Sequence, residues 1–312
     1  MKRAAMPDND LPDTNMPDND MPDSAVNRGQ AETLGAARLL LVGGGKMGSA
    51  LLDGWLQSGV TAGQVMVQEP APSDFLQSLS VQGLALNPTQ AALSDQPPDI
   101  VVLAVKPQLA DKVLPPLAAS LPENALCISL MAGLPIHRLA DFLPMHKAII
   151  RTMPNTPAAI QQGMTALFAA PAVSPEQKQQ AAALMAAVGA TIWLDDENLM
   201  DAVTAISGSG PAYIFYMAEA MVNCGETLGL PPATARQLAL QTLIGAAAML
   251  DAPEADPKAL RHDVTSPGGT TEAALDVLTG DGNGGGLQNL MRHATQAAVE
   301  RARQLARPAE NS

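Results

Sequence analysis

The chain has 312 residues, of which 47% are hydrophobic and 16% are charged, and its formal net charge is −13. A length of this order favours roughly two domains, each large enough to bury its own core. The acidic balance argues against a protein that wraps nucleic acid, because phosphate contacts need clustered lysines and arginines. No apolar run approaches the ~20 residues of a membrane-spanning helix. The four histidines show no metal-ligand spacing, so we expect no metal site.

The N-terminus and the cysteines favour a cytoplasmic protein. No apolar stretch follows Lys2 and Arg3, so no secretory signal is visible. The two cysteines, Cys127 and Cys224, are far apart in sequence and lie in apolar surroundings. This placement predicts two reduced and mostly buried thiols.

The first part of the chain is repetitive. Residues 6–25 consist of the five-residue units MPDND, LPDTN, MPDND and MPDSA. A proline in every unit disfavours helix, and the repeated Asp and Asn favour solvated turns. We therefore predict a disordered, acidic, Pro/Asp/Asn-rich tail over residues 1–35 that is dispensable for chemistry. Residues 308–312 are expected to be disordered at the other end.

From Arg38 onward, short apolar runs alternate with amphipathic stretches of helical length. This alternation is typical of βαβ units around a largely parallel sheet. After Trp193 only helical patterns remain, so we predict a doubly wound α/β domain over residues 36–195 and an all-helical domain over residues 196–307. The predicted strands are Leu39–Val42, Val65–Val67, Ile100–Val105, Ala125–Leu130, Ala148–Ile150, Met164–Phe168 and Ala190–Leu194. The predicted helices of the second domain are Gly210–Leu228, Pro232–Leu250, Thr270–Leu278 and Leu287–Leu305.

The first predicted strand runs directly into a glycine-rich loop, Gly43-Gly44-Gly45-Lys46-Met47-Gly48, and a helical pattern follows it. This is G-x-G-x-x-G between a strand and a helix, the context in which the motif predicts dinucleotide binding. The glycines allow a tight turn and close approach of a pyrophosphate, and the helix N-terminus offers N–H groups to the anion. The alternative is a glycine-rich turn with no ligand.

An acidic residue supports the dinucleotide interpretation. Glu69 lies 21 residues after Gly48 and follows the second predicted strand, where a carboxylate would bind the adenosine ribose. The first domain is therefore predicted to be of the Rossmann type. A carboxylate there favours the ribose diol of NADH over the phosphate of NADPH, but neighbouring side chains can override the rule. The choice of cofactor stays open at this point.

A second informative loop is Ser266-Pro267-Gly268-Gly269-Thr270-Thr271, which leads into a helical pattern. Its amides could converge, and the two threonines stand where a helix N-cap is expected. The arrangement suits a carboxylate held by backbone N–H groups and the positive end of a helix dipole. By itself, however, the pattern is better explained as an ordinary capped helix after a turn.

The ordered set of motifs resembles one family. The segments are GGGKMG, AVKP at Ala104–Pro107, RTMPNTP at Arg151–Pro157, SGSGPAY at Ser207–Tyr213 and SPGGTT at Ser266–Thr271. From about Arg38 to Leu305 the chain resembles the pyrroline-5-carboxylate reductases. The resemblance implies a Rossmann domain followed by a helical dimerisation domain, at least a dimer, and an active site between one subunit's cofactor cleft and its partner's helical domain. It also implies reduction of a cyclic imine carboxylate to L-proline with NADPH or NADH.

Carried over by resemblance, the site residues fall into two groups. The cofactor residues are Val42, Gly43, Gly44, Gly45, Lys46, Met47, Gly48, Glu69, Ala104, Val105, Lys106, Pro107, Leu130, Met131, Ala132 and Asn155. The substrate residues are Glu254, Ser266, Gly268, Gly269, Thr270 and Thr271. Of these, Thr271 is the expected catalytic residue, its hydroxyl bonding the ring nitrogen of the imine.

Some features depart from the family pattern, and other functions remain open. His262 stands where an acid is usual, residues 280–286 are glycine-rich, and Asn87 is left out of the cofactor set because its surroundings align poorly.

The alternatives to the reductase function are a related imine or 2-hydroxy-acid oxidoreductase and a non-catalytic dinucleotide-binding regulator. Hydroxy-acid enzymes of this architecture use a lysine of the helical domain. Between Asp196 and Thr279 the only lysine is Lys258, which we expect in a loop.

Overall fold

The computed structural model describes residues 33–280 and 285–306. The segments expected to be disordered, 1–35 and 308–312, therefore lie outside the described residues except for residues 33–35, of which the first two are helical. Most of the glycine run 280–286 also lies outside them. Eight strands form one sheet: β1 (Leu39–Val42), β2 (Val65–Gln68), β3 (Ala85–Leu86), β4 (Ile100–Leu103), β5 (Leu126–Ser129), β6 (Ile149–Met153), β7 (Gly163–Ala169) and β8 (Gly189–Trp193). Their spatial order is β3-β2-β1-β4-β5-β6-β7-β8, and only β6 and β7 are antiparallel neighbours.

Helices connect most of the strands and then form a separate region. Those within the sheet domain are α1 (Lys46–Gln57), α2 (Asp74–Ser80), α3 (Gln90–Asp95), α4 (Ala110–Ala118), α5 (Ile136–Phe142) and α6 (Pro175–Ala186). The helical region contains α7 (Met200–Val203), a π-helical turn (Thr204–Gly208), α8 (Gly210–Thr227), α9 (Pro232–Leu250), α10 (Pro257–Asp263), α11 (Thr270–Thr279) and α12 (Gly286–Ala306).

The core lies around the central strands. Every residue of β1, β4 and β5 is buried, because helices cover both faces of a parallel sheet. This explains why these strands read as uninterrupted apolar runs rather than as alternating patterns. Trp55 of α1 is fully buried, and its indole N–H donates to the Leu184 carbonyl at 2.9 Å. The hydrogen bond satisfies the polar group that burial of the ring would otherwise leave unpaired.

The predicted fold class is confirmed, with three local errors. Strand β3 was not predicted, because its two residues are too short to show a period. Lys258 is not in a loop but in α10, which begins where Asp256 accepts hydrogen bonds from the Lys258 and Ala259 N–H groups. Cys127 is buried, but Cys224 is exposed in the single chain, so the expectation of two buried thiols is wrong for Cys224.

Burial also controls the chemistry of the core thiol. Desolvation raises the pKa of Cys127 to about 12, because its anion cannot be hydrated between the strands. The thiol therefore stays protonated and unreactive at neutral pH.

A buried ion pair joins the sheet to the helical region. The Arg151 guanidinium on β6 lies 2.9 Å from the Glu197 carboxylate, which also accepts the Ile136 N–H at 2.8 Å. The Arg151 residue is only 6% exposed. The Glu197 side chain is 24% exposed, so removing Glu197 would cost more than removing Arg151, because it would leave the buried guanidinium without its partner.

His146 provides a test of polar burial. Its side chain is buried, and neither ring nitrogen has a hydrogen-bond partner among the described residues. Since an unsatisfied buried polar group costs about 1–3 kcal/mol, His146→Leu should raise the free energy of unfolding by about 1–2 kcal/mol. Chemical denaturation would measure this, with His137→Leu, at an exposed position on α5, as the control. A lower stability for His146→Leu, with His137→Leu unchanged, would contradict the interpretation.

Candidate functional site

A cleft opens where the strand order changes direction. Strand β1 pairs with β2 on one side and with β4 on the other, and the connections leave from the carboxyl ends of these strands. Ligands of open α/β sheets bind at such a switch point. The cleft has a volume of about 730 Å³, and a smaller pocket of about 200 Å³ lies beside it. Ala104 and Val105, which follow β4, line both of them.

The glycine loop is packed so tightly that side chains do not fit at two positions. Gly43 has φ +103°, and a Cβ there would lie 2.8 Å from the Ala104 carbonyl carbon. A Cβ on Gly48 would collide with the Gly43 carbonyl oxygen. Both glycines are therefore needed for the close contact between loop, helix and β4. By contrast, a Cβ on Gly45 would meet no atom within 4 Å, so the loop is open on its cleft side.

The N-terminus of α1 is suited to an anion. Its N-cap is Gly45, which makes no side-chain capping hydrogen bond, and the first turn has no acidic residue. The first N–H groups of the helix therefore keep their donor capacity and the positive end of the dipole. A pyrophosphate placed in the cleft would meet these donors, which is the fit that a dinucleotide requires.

The end of the cleft that was predicted to hold a ribose is built around Glu69. Its Oε2 accepts the Gly44 N–H at 2.8 Å, and its Oε1 accepts the Ala71 N–H at 3.0 Å. Asn87 holds the same residue from the other side, because its Oδ1 accepts the Glu69 N–H and its Nδ2 donates to the Glu69 carbonyl, at 2.8 and 2.9 Å. Asn87 also lines the cleft, so leaving it out of the predicted set missed a residue of the site.

The predicted cofactor residues fall into lining and supporting positions. Those that line the larger cleft are Val42, Gly43, Gly45, Glu69, Ala104, Val105 and Lys106, and Met47 and Leu130 line the smaller pocket. The residues that line neither are Gly44, Lys46, Gly48, Pro107, Met131, Ala132 and Asn155.

Asn155 supports the smaller pocket from behind. Its Oδ1 accepts the Met164 N–H at 2.9 Å, and its Nδ2 donates to the Ser207 hydroxyl at 3.2 Å. The preceding residues Met153 and Pro154 form part of the pocket wall. Asn155 therefore connects this wall to the π-helical turn Thr204–Gly208 at the start of the helical region.

The SPGGTT loop precedes α11, but its capping differs from the expectation. The N-cap is Gly269, and the two threonines are the first residues of the helix, so the prediction of a threonine cap is wrong. The Gly268 N–H donates to the Glu272 carboxylate at 2.6 Å, and the Gly269 N–H donates to the Ser266 carbonyl at 3.0 Å. The amides available for a carboxylate are therefore those of the first helical turn rather than those of the glycines.

Within one chain, the SPGGTT loop and the cofactor cleft are separate. Glu254 and the predicted substrate residues at 266–271 are absent from the lining of both pockets. Helix α11 packs against α12, the last described helix. Almost the whole loop is exposed, including Thr271, whose hydroxyl makes no hydrogen bond with any described residue. A single chain does not bring the two halves of the predicted site together.

The helical region also exposes an apolar surface. Helix α8 has no buried residue, and Ile214, Phe215 and Tyr216 are 58%, 66% and 71% exposed. Ile244 of α9 is 62% exposed. So many exposed large apolar side chains on neighbouring helices are typical of an interaction site.

Two classes of feature are absent from the described ranges. Within residues 33–280 and 285–306, no group of three or more His, Cys, Asp or Glu side chains is arranged to hold a metal ion. No helix in this part of the chain is both long and apolar enough to cross a membrane.

Comparisons with known proteins match both the sheet domain and the helical region to families. Residues 197–305 match the family described as pyrroline-5-carboxylate reductase dimerisation, and residues 38–133 match the one described as NADP oxidoreductase, coenzyme F420-dependent. A pyrroline-5-carboxylate reductase of Pseudomonas aeruginosa is 40% identical over 86% of this chain and 98% of its own length. A solved pyrroline-5-carboxylate reductase from Coxiella burnetii is 37% identical, with a TM-score of 0.77, over 88% of this chain and 100% of that one. The Plasmodium falciparum pyrroline carboxylate reductase, solved with NADP bound, is 26% identical, with a TM-score of 0.73, over 87% of this chain and 98% of that one.

Proposed function

The chain belongs to the pyrroline-5-carboxylate reductase family, and from this premise we propose that it reduces 1-pyrroline-5-carboxylate to L-proline, the last step of proline biosynthesis. The enzyme is an NAD(P)H-dependent oxidoreductase. The observation that carries the proposal is that one chain holds both a dinucleotide cleft, within residues 38–133, and the SPGGTT loop, within residues 197–305. The first supplies the cofactor site and the second the means to bind an imine carboxylate.

The residues of the cleft position the cofactor, which supplies the hydride. Glu69 would hold the adenosine ribose. The glycine loop and the N-terminus of α1 would bind the pyrophosphate, and the pocket lined by Met47 and Leu130 would hold the nicotinamide. The imine carbon accepts the hydride, and the ring nitrogen, protonated before or during the step, becomes the secondary amine of proline. Such a reaction needs orientation more than acid–base chemistry, which agrees with the absence of titratable side chains from the lining of the smaller pocket.

The SPGGTT loop would hold the substrate. A carboxylate suits the open N–H groups at the start of α11, where the helix dipole is positive. The Thr271 hydroxyl, in the same helical turn, has no partner among the described residues and can bond the ring nitrogen. Ser266, Gly268, Gly269 and Thr270 would shape the loop around the carboxylate, and Glu254 is the remaining proposed substrate residue.

The enzyme is an oligomer, and we propose that its unit is at least a dimer. Because the loop and the cleft of one chain are separate, the loop of the partner subunit would complete each site. The exposed apolar surface of α8 would be buried between the two helical regions. The unpaired thiols, of which Cys127 is buried, agree with a reducing compartment, so we propose the cytoplasm as its location.

Thr271→Ala tests the proposed catalytic contact. Losing a hydrogen bond worth roughly 1–3 kcal/mol should lower kcat/KM for the imine about ten- to a hundredfold. Thr271→Ser should restore most of the activity, since it keeps the hydroxyl. The matched control is Thr279→Ala at the other end of α11, where the hydroxyl donates to carbonyls of its own helix, those of Leu275 and Asp276. Full activity of Thr271→Ala in steady-state assays would remove Thr271 from the mechanism.

A further inference from the structure

The ribose end of the cofactor cleft carries a fixed negative charge. The Glu69 carboxylate lies at the carboxyl end of β2, partly buried, and lines the cleft. A Cβ on Gly44 would lie 3.2 Å from the Glu69 Cβ and Cγ and 2.5 Å from the Leu76 Cδ1. A side chain at position 44 would therefore crowd the glutamate where it lies against the glycine loop.

The hydrogen bonds of Glu69 leave room for a diol. A carboxylate offers about four lone-pair positions, two on each oxygen. One position on Oε2 is used by the Gly44 N–H and one on Oε1 by the Ala71 N–H. Each oxygen keeps one position, so two adjacent hydroxyls, each donating a proton, would complete the set. A phosphate on one of these hydroxyls has no proton to donate at that point and would bring further negative charge to the carboxylate.

The same hydrogen bonds prevent the carboxylate from moving aside. Rotation of the Glu69 side chain would break both backbone contacts, and Asn87 fixes the Glu69 backbone through two more. Asn87 adopts φ +50°, a left-handed conformation that asparagine tolerates better than most residues. The carboxylate is therefore held in place before any ligand binds.

No cationic side chain of the described residues that line the cleft lies beside Glu69 to neutralise an added phosphate. Among the described residues that line the cleft, the only cationic side chain is Lys106, which follows β4. Strand β1 lies between β2 and β4, and two strand spacings amount to roughly 10 Å. The other residues around the ribose end are neutral: Gln68, Pro70, Asn87, Pro88 and Gln90.

We infer that this chain selects NADH over NADPH, and that Glu69 is the residue that determines the selection. This selection rests on the proposed function in one respect only, which is that the cleft holds a nicotinamide dinucleotide. The 2′-phosphate of NADPH would lie against a fixed carboxylate, and no cationic side chain among the described residues lines that end of the cleft. The ribose diol of NADH would instead find two free acceptor positions there.

Equilibrium binding of NADH and of NADPH to the full-length protein, without imine, tests the inference. The dissociation constant for NADPH is expected to exceed that for NADH by at least about tenfold at low salt, because like charges in a partly buried site repel. Raising the ionic strength should reduce the ratio, since salt screens the repulsion. Equal affinities, or tighter binding of NADPH, would overturn the inference.

Two variants attribute the effect to one carboxylate. Glu69→Gln should bring the two dissociation constants to within about threefold of each other and abolish the salt dependence of their ratio. Asp74→Asn, which removes a carboxylate five residues away that does not line the cleft, should keep the wild-type ratio. An unchanged ratio in Glu69→Gln would overturn the role of Glu69. Selective binding of NADH without reduction of the imine would instead contradict the proposed function and leave this inference standing.

Discussion

Gly48→Ala is expected to weaken the binding of both NADH and NADPH at least about a hundredfold. The added methyl group would collide with the Gly43 carbonyl oxygen, and Gly43 lies so close to β4 that a Cβ on it would be 2.8 Å from the Ala104 backbone. The loop could accommodate the methyl group only by moving away from β4, which would misplace the amides that face the pyrophosphate. Two lost hydrogen bonds from these amides to the charged pyrophosphate would cost about 1.5–3 kcal/mol each. Their sum exceeds the roughly 2.7 kcal/mol that a hundredfold change in the dissociation constant requires.

The control separates this effect from a general effect of removing glycine. Gly63→Ala, in the same domain, introduces a Cβ that meets no atom within 4 Å and does not line the cofactor cleft. It should bind both cofactors as the unmodified protein does. Titration of each variant, after denaturation has shown that it is folded, provides the measurement. Normal cofactor binding by folded Gly48→Ala would show that the loop is not the pyrophosphate site.

Phe215→Asp is expected to convert the oligomer to monomers and to lower kcat/KM at least about a hundredfold. Phe215 lies on α8 and is 66% exposed in the single chain. In a two-fold dimer each substitution occurs twice, so two carboxylates would be buried in one apolar interface without partners. Since a single chain keeps the SPGGTT loop apart from the cleft, the monomer would still bind the cofactor but would not position the imine.

Val81→Asp is the matched control, because Val81 is an apolar residue of the sheet domain that is 89% exposed. It should remain an oligomer with full activity. Light scattering after size-exclusion chromatography gives the mass, and steady-state kinetics gives the activity. A monomeric Phe215→Asp protein with unchanged kcat/KM would show that each site is complete within one subunit.

The sequence predicted those parts of the site that depend on local spacing. The strand, the glycine loop and the following helix are consecutive, and Glu69 stands at a characteristic distance from Gly48 because one helix and one strand separate them. The rest depends on contacts between distant residues. Asn87 binds the Glu69 backbone from 18 residues away, and no local pattern distinguishes this asparagine from a turn residue. The threonine cap was wrong because Glu272 reaches back to the Gly268 N–H and Gly269 takes the N-cap position.

Helix α10 was missed although a local signal was present. Asp256 and Pro257 are a common N-cap and first residue of a helix, and the segment is short and has no buried residue. Without an apolar face, hydrophobic periodicity could not reveal it. The separation of the SPGGTT loop from the cleft is a property of the tertiary fold, which spacing along the sequence could not predict.

Following NADH oxidation and proline formation together, with purified protein and 1-pyrroline-5-carboxylate, is the decisive test of the proposed reaction. We expect rapid oxidation that depends on the imine, with one proline formed for each NADH consumed. Protein that binds NADH but does not oxidise it when the imine is added would contradict the proposed reaction.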